Sequence, residues 1–285
     1  MKIAITGATG QLGQLVIQHL LKLTDAENII VLVRHTDKAA SFKAQGIDVR
    51  HFDYDQAETL QPALQGIDKL LLISANEIGR RTPQHKAVIE AAKAAHVPYI
   101  AYTSLLNGDS SPLGLAQEHR ETEQLIRESG LAYTFLRNNW YVENYLGSIQ
   151  QDIASGVIYG AAQDGQINAA PRSDYAEAAA RVLVGNNHDG KTYELASSQS
   201  FTKATLAQTI SQVSGKTVRY EDLTPEAYKS LLVKVGLDAA FSAFLADVDF
   251  KTSHGVMATD RKDLEALLSH PTTSLSTVIR NSLNA

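Results

Sequence analysis

Three glycines, Gly7, Gly10 and Gly13, stand three residues apart in "GATGQLG", directly behind the short apolar run "KIAI". Gly7 permits a turn too tight for a side chain. Gly10 lets backbone approach a bulky anion, and Gly13 lets a following helix pack close to the preceding strand. Amide groups and the positive end of a helix dipole then favour phosphate. Such a loop binds a dinucleotide pyrophosphate, and Thr9, Gln11 and Leu12 belong to the same candidate surface. A second signal lies in "VLVRHTDK". Sites for NAD place an acid at the end of the second strand, to accept from the ribose hydroxyls. Here Arg34 holds that position. Arginine accepts nothing, but it pairs with a 2′-phosphate. His35 and Lys38 add positive potential, with Asp37 close by. The expected cofactor is NADPH, with NADH admitted.

These residues need a frame. "KIAIT", "NIIVLVR", "IDVRHFD", "DKLLLIS", "VPYIAYTS" and "LAYTFLR" read as strands. Between them "QLGQLVIQHLLKL", "DKAASFKAQ", "QAETLQPALQG", "TPQHKAVIEAAKAAH" and "LAQEHRETEQLIRESG" read as helices. Apolar strands alternating with helices predict an α/β fold, a doubly wound parallel sheet of the Rossmann type covered on both faces. The expected division is a dinucleotide-binding domain over residues 1–140. A smaller α/β lobe over 141–285 follows, its segments interleaved with the first. Within that lobe "VENYLGSIQQDIASG", "TKATLAQTISQVSG", "PEAYKSLLVKVG" and "LDAAFSAFLADVDF" read as helices, and "KTYELAS" and "KTVRYEDL" as strands.

The spacing G-x-x-G-x-x-G, with "VLVR", "LLLIS", "HKAVIEAAKAAHVPYIAYTS", "LAQEHRETEQLIRESGLAYTFLRNNWYVEN" and "KTYELAS", resembles the NmrA-like group of atypical short-chain dehydrogenase/reductases. The resemblance covers nearly the whole chain. It implies an NADPH-dependent reductase of quinones. Two alternatives stand beside it: a reductase of another flat acceptor, such as a triphenylmethane or azo dye, and a redox sensor that binds the dinucleotide without turnover. Most short-chain dehydrogenases carry a tyrosine followed four residues later by lysine. None of the eleven tyrosines here has that partner. Oxidising an alcohol needs a base, since an aliphatic hydroxyl is about as weak an acid as water, with pKa about 15.7. A quinone differs, because hydride addition leaves a phenolate-like oxygen with a conjugate acid of pKa about 10. The missing pair therefore fits an electron-poor acceptor, and equally a sensor.

Further candidates sit at the carboxyl ends of the later strands. Ser74, Ala75 and Asn76 are expected beside the adenosine ribose. Thr103 and Ser104 end the fifth strand, where the family often carries a serine. Arg137, Asn138, Asn139 and Trp140 leave the sixth strand toward the nicotinamide. Tyr141, His119 and Asn144 are the candidate catalytic or acceptor-positioning residues. Composition narrows the classes. A net charge of −5 argues against a general nucleic-acid binder. The absence of cysteine excludes disulfides and thiolate chemistry, and the nine histidines form no metal-ligand pattern. No apolar run approaches the ~20 residues of a membrane span, and the amino terminus does not read as a signal peptide. A cytoplasmic monomer or homodimer acting on a small molecule is expected.

Overall fold

The computed structural model describes residues 1–284. The strands are β1 (Ile3–Ile5), β2 (Ile29–Val33), β3 (Asp48–His51), β4 (Lys69–Leu72), β5 (Tyr99–Leu105), β6 (Ala132–Asn138), β7 (Val157–Gly160), β8 (Lys191–Leu195) and β9 (Arg219–Asp222). The helices are α1 (Gln11–Leu20), α2 (Ala40–Ala44), α3 (Ala57–Ala63), α4 (Arg81–Ala94), α5 (Ala116–Ser129) and α6 (Ile149–Ser155). They continue with α7 (Arg172–Val184), α8 (Lys203–Ser214), α9 (Pro225–Lys234), α10 (Ala239–Ser253), α11 (Asp263–Leu268) and α12 (Leu275–Asn284).

Seven strands form one parallel sheet in the order β3-β2-β1-β4-β5-β6-β8. The strand order reverses between β1 and β4, which creates the crevice where such sheets bind ligands. Both β2 and β5 are buried along their whole length, as strands covered on two faces must be. Side-chain alternation divides the core. Ile3, Ile5, Leu71, Ala101 and Leu136 face α1 and α7. Ala4, Leu70, Ile100, Tyr102 and Phe135 face α3, α4 and α5. A third core, with Ile158, Leu206, Ile210 and Val248, belongs to the later segments around the two-stranded sheet β7-β9. The later residues thus serve both bodies: β8 completes the large sheet, while α7 lies on α1 and α11 on α7.

The segment expected to form one helix over "VENYLGSIQQDIASG" is instead two pieces. A 3-10 turn spans Val142–Tyr145, and α6 begins at Ile149. Gly147 and Ser148, both poor helix formers, separate them. The break leaves the Glu143 carboxylate to accept from the Arg172 backbone amide at the start of α7, at 3.0 and 3.1 Å. Toward the first helix, α2 is preceded by a 3-10 turn over Thr36–Ala39 and is shorter than "DKAASFKAQ" suggested.

The glycine loop sets the approach of α1 to the sheet. Gly7 has φ of +59°, a left-handed conformation that disfavours side chains. A Cβ on Gly13 would lie 2.3 Å from the Gly7 carbonyl oxygen and 2.8 Å from the Ala8 Cα. A Cβ on Gly10 would lie 3.1 Å from the same oxygen, a far milder contact. Gly13→Ala should therefore destabilise the chain by about 1–3 kcal/mol through overpacking, and Gly10→Ala by clearly less. Thermal unfolding of both variants checks the ranking; equal midpoints would refute the close approach.

Candidate functional site

A cleft of about 460 Å³ opens at the carboxyl edge of the sheet, over the reversal between β1 and β4. The glycine loop walls it with Gly7, Thr9, Gly10, Gln11, Leu12 and Gly13. Arg34, His35 and Lys38 line the end beyond β2; Ser74, Ala75 and Asn76 line the side beyond β4. These ten sequence-selected residues, the loop six with Arg34, Ser74, Ala75 and Asn76, therefore share one cavity. Sequence reasoning missed Phe52, Asp53, Tyr54, Asp55 and Gln84, which line it too. The signal for the first four was available: "HFDYD" leaves β3 at the same edge as the glycine loop. Gln84 carried no such signal, because it enters from the side of a helix.

The cleft is built to receive phosphate. Gly10 caps α1 with no side-chain bond, and the first turn of α1 holds no acid. Its amides remain available to an anion, reinforced by the helix dipole. Arg34 is exposed and, among the described residues, joins no ion pair. The acids of the cleft are engaged elsewhere. Arg80 holds Asp55 at 2.6 Å and Glu77 at 2.8 Å. Asp53 accepts from the Asp55 amide and from Gln56 Nε2.

The wall beyond β4 is fixed by side chains from three neighbours. The Ile73 amide donates to Thr6 Oγ1 at 2.9 Å, the Ser74 amide to Thr103 Oγ1 at 2.9 Å, and the Ala75 amide to His85 Nε2 at 3.0 Å. Arg81 Nε donates to the Ala75 carbonyl at 2.7 Å, so the backbone of one residue is gripped through both its amide and its carbonyl. Arg81 is held in turn by Glu118 at 3.2 Å. His85 is fully buried. The Thr122 hydroxyl donates to the Glu118 carbonyl, so it accepts from His85 Nδ1 at 3.0 Å. That leaves Nε2 as the acceptor for Ala75 and fixes the tautomer. Burial, aided by the Arg81 charge, pushes the His85 pKa down to about 3.

Several expected site residues hold the scaffold instead. Thr103 supports Ser74 from beneath and does not line the cleft. Ser104 donates to Glu123 Oε1 at 2.6 Å, on the α5 side of the sheet. Arg137 is buried and spends its guanidinium on three carboxylates. It meets Glu123 at 2.7 Å, Asp109 at 2.8 Å and Glu194 at 2.9 Å. None of its charge is left for a cofactor. His119 is buried, with Nδ1 2.7 Å from the Tyr102 hydroxyl. Desolvation holds its pKa well below the ordinary value, and it does not line the cleft. Asn139 donates to the carbonyls of Asn168 and Met257, at 3.1 and 3.0 Å, and tethers the crossing into the later lobe. Trp140 packs with Phe244, ring centres 6.4 Å apart, in the third core.

Asn138, Tyr141 and Asn144 lie outside the cleft's lining and gather beside the start of α7. Asn138 Oδ1 is buried without a partner. The Tyr141 ring lies under the Arg172 guanidinium at 4.7 Å and meets Tyr175 edge-on at 5.4 Å. Burial raises the Tyr141 pKa; the Asn138 amide and the Arg172 charge act the other way. Asn144 is exposed, and its Oδ1 accepts from Arg172 at 2.7 Å, so it positions Arg172. Among the described residues no cluster of histidine and acidic side chains could hold a metal, and no helix is long and apolar enough to cross a membrane.

Sheet order, crevice and glycine loop together define a doubly wound α/β protein of the Rossmann class. The chain belongs to the NmrA-like family, which it matches over residues 1–273. It is 50% identical over 282 residues to quinone oxidoreductase 2 of Escherichia coli (strain K12), covering 99% of each chain. The crystal structure of the NADPH-dependent quinone oxidoreductase of E. coli complexed with NADPH superposes with a TM-score of 0.96, covering 99% of this chain and 100% of that one. The Citrobacter sp. triphenylmethane reductase complexed with NADP(H) gives the same TM-score, 0.96, at 40% identity, with coverage of 99% and 100%.

The neutral His85 has a consequence for stability. Above about pH 6.5 the ring is neutral both folded and unfolded. Below that, the unfolded chain takes up a proton that the folded chain refuses until about pH 3. Stability contributed by this site therefore falls as pH drops through that window. His85→Gln keeps an acceptor for Ala75 but removes the titration. Its unfolding free energy, measured by denaturant from pH 7 to pH 4, should fall less steeply than that of the parent, by up to one proton in slope. Parallel slopes would contradict the buried neutral ring.

Proposed function

We propose that this chain is an NADPH-dependent reductase of quinones. The observation that carries the reading is the free cationic end of the cleft, Arg34 with Lys38, set against the bare amino end of α1. Arg34 takes the 2′-phosphate, the glycine loop takes the pyrophosphate, and Ser74 to Asn76 border the ribose. Asn138, with its buried carbonyl oxygen unpartnered, is suited to the donor amine of a carboxamide. The full-length likeness to a quinone oxidoreductase points to the acceptor. When bound, the dinucleotide supplies a hydride, which with one proton from solvent turns a quinone into a hydroquinone.

The chain's own contribution is positioning and modest electrostatic support. Tyr141 is protonated at neutral pH, as any phenol is, and burial raises its pKa further, so it can donate a hydrogen bond to a developing phenolate. Arg172 beside it adds positive potential. No side chain needs to serve as an obligatory acid, since the oxygen left by hydride addition, with a conjugate acid of pKa about 10, can carry its charge until solvent protonates it. The same reading places the protein in the cytoplasm, as a monomer or homodimer acting on a small molecule. A second reading, reduction of a triphenylmethane dye, is favoured by the likeness to the Citrobacter enzyme. A third is binding without turnover. Oxidation of NADPH followed at its absorbance band, with a naphthoquinone and with a triphenylmethane dye, separates them: steady turnover with the quinone supports the proposal, and binding without turnover of either acceptor refutes it.

Two variants test the parts. Arg34→Ala removes a charge-assisted contact worth roughly 1.5–3 kcal/mol. NADPH affinity should fall about ten- to a hundredfold, while NADH affinity stays nearly constant; fluorescence titration with both reads the difference. Equal weakening of both would show that Arg34 supports the loop only. Tyr141→Phe should lower turnover by less than the ~10²–10⁴-fold typical of a general acid. A fall beyond about a thousandfold, with NADPH binding intact, would establish Tyr141 as an obligatory proton donor.

A further inference from the structure

We infer that Asp174 is a positioning residue for the acceptor side of the site: it latches the segment between α11 and α12 onto the first turn of α7, and so keeps Arg172 over Tyr141. The inference rests on the proposed reduction of quinones and adds to it a residue outside the cleft's lining. Asp174 stands two residues after Arg172 and is 4% exposed. Its Oδ2 accepts from the Thr273 amide at 2.7 Å, and its Oδ1 from the Thr273 hydroxyl at 2.9 Å. An acid in the first turn of a helix ordinarily serves that helix's own free amides. Here the carboxylate is spent on a residue 99 positions further along the chain, and α7 has no side-chain cap bond. Burial raises the Asp174 pKa, and the Thr273 bonds act against that rise. A buried carboxyl group is costly unless its oxygens are bonded, and Thr273 supplies both bonds.

The latched segment joins the two bodies of the molecule. Before it, α11 packs on α7. After it, α12 packs on α8 and on the 3-10 turn Val142–Tyr145, with Val278 and Ile279 in the third core. Ser269, at φ of +62°, ends α11 and turns the chain. Thr272 is buried, and its hydroxyl bonds with that of Ser197 at 2.8 Å. The Ser197 amide donates to the Asn168 carbonyl at 3.0 Å, and Asn139 Nδ2 donates to the same carbonyl at 3.1 Å. A chain of bonds thus runs from the latch to the residue beside Asn138. On the other side, Glu143 and Asn144 of the 3-10 turn hold the Arg172 amide and guanidinium. The first turn of α7 is therefore clasped by two segments that α12 ties together. Loss of the latch leaves the 3-10 turn alone to hold Arg172 over the Tyr141 ring.

The latch is a matter of geometry, and substitution separates it from charge. Asp174→Asn keeps an oxygen for the Thr273 amide and offers a donor to the Thr273 hydroxyl, so both bonds survive. Asp174→Ala loses both. Thr273→Val loses only the hydroxyl bond, and serves should Asp174→Ala fail to fold. Parent and variants are titrated with NADPH by fluorescence, and kcat and KM for a naphthoquinone are measured at saturating NADPH. Asp174→Ala should lower kcat/KM for the quinone about tenfold, the scale of one hydrogen bond, with NADPH affinity unchanged. Thr273→Val should follow it in the same direction, and Asp174→Asn should stay near the parent. In an Arg172→Ala background, Asp174→Ala should cost little more, because the group it positions is gone. A merely structural role would leave the two losses additive. Additivity therefore overturns the inference, as does a matching loss of NADPH affinity, or an Asp174→Asn variant as impaired as Asp174→Ala. A parent that binds NADPH but turns over no quinone would instead overturn the underlying reading, and this one with it.

Discussion

The approach of α1 to the Gly7–Ala8 backbone is the constraint on which the rest depends. With a carbonyl oxygen 2.3 Å from where a Gly13 side chain would begin, the helix can sit against the strand only if that position is bare. Close seating aims the first-turn amides of α1 at the crevice. It also brings Val16, Ile17 and Leu20 into the core that α7 completes from the later part of the chain. A shift of α1 outward would open that core and withdraw the anion-binding amides together. Stability and phosphate binding are thus coupled through one backbone contact.

Fixing the opposite wall takes a different device. The loop after β4 leaves the sheet with three successive amides that have lost their strand partners. Thr6, Thr103 and His85 replace those partners. Each comes from a different element, so the loop's position is triangulated. The network continues through His85 to Thr122, while Tyr102 packs edge-on against His85 and pairs with His119. A satisfied buried network of this kind specifies one arrangement, because any displacement strands a polar group in apolar surroundings. Arg137 does the same at the next pair of strands. It ties β6 to α5, to the loop carrying Asp109 and to β8 through three carboxylates. Removing one partner of such a set leaves a buried charge unpaired, which is far costlier than the pairing is favourable.

The contrast between legible and illegible residues follows from this. The glycine loop and Arg34 could be read because their meaning is local: a strand, a turn, a helix and the tip of the next strand. Proximity to the carboxyl edge was a weaker guide for Thr103, Ser104, Arg137 and His119. Strand parity was the missing test. Ser104 and Arg137 are register partners, and they share a face with Tyr102 and Phe135, which look toward α4 and α5. Alternation in the sequence alone sends them away from the crevice. Gln84, by contrast, was hidden among polar helix residues. Its place in the cleft depends on which face of α4 meets a loop. That is not written in spacing.

In the proposed reading, the two halves of the site divide binding from chemistry. The described cleft carries the cations, the bare helix end and the rigid wall, all suited to holding phosphates and a base in place. The group at the end of β6 carries an unpaired amide oxygen at Asn138, a protonated phenol at Tyr141 and the Arg172 guanidinium stacked on it. Arg172 is itself anchored by Asn144 and begins α7, the helix packed on α1. The Arg172 guanidinium therefore shares a rigid frame with α1. Such an arrangement asks little of any one acid or base. It asks instead that two flat groups be held in register, and the packing of α1 against α7 is what holds them.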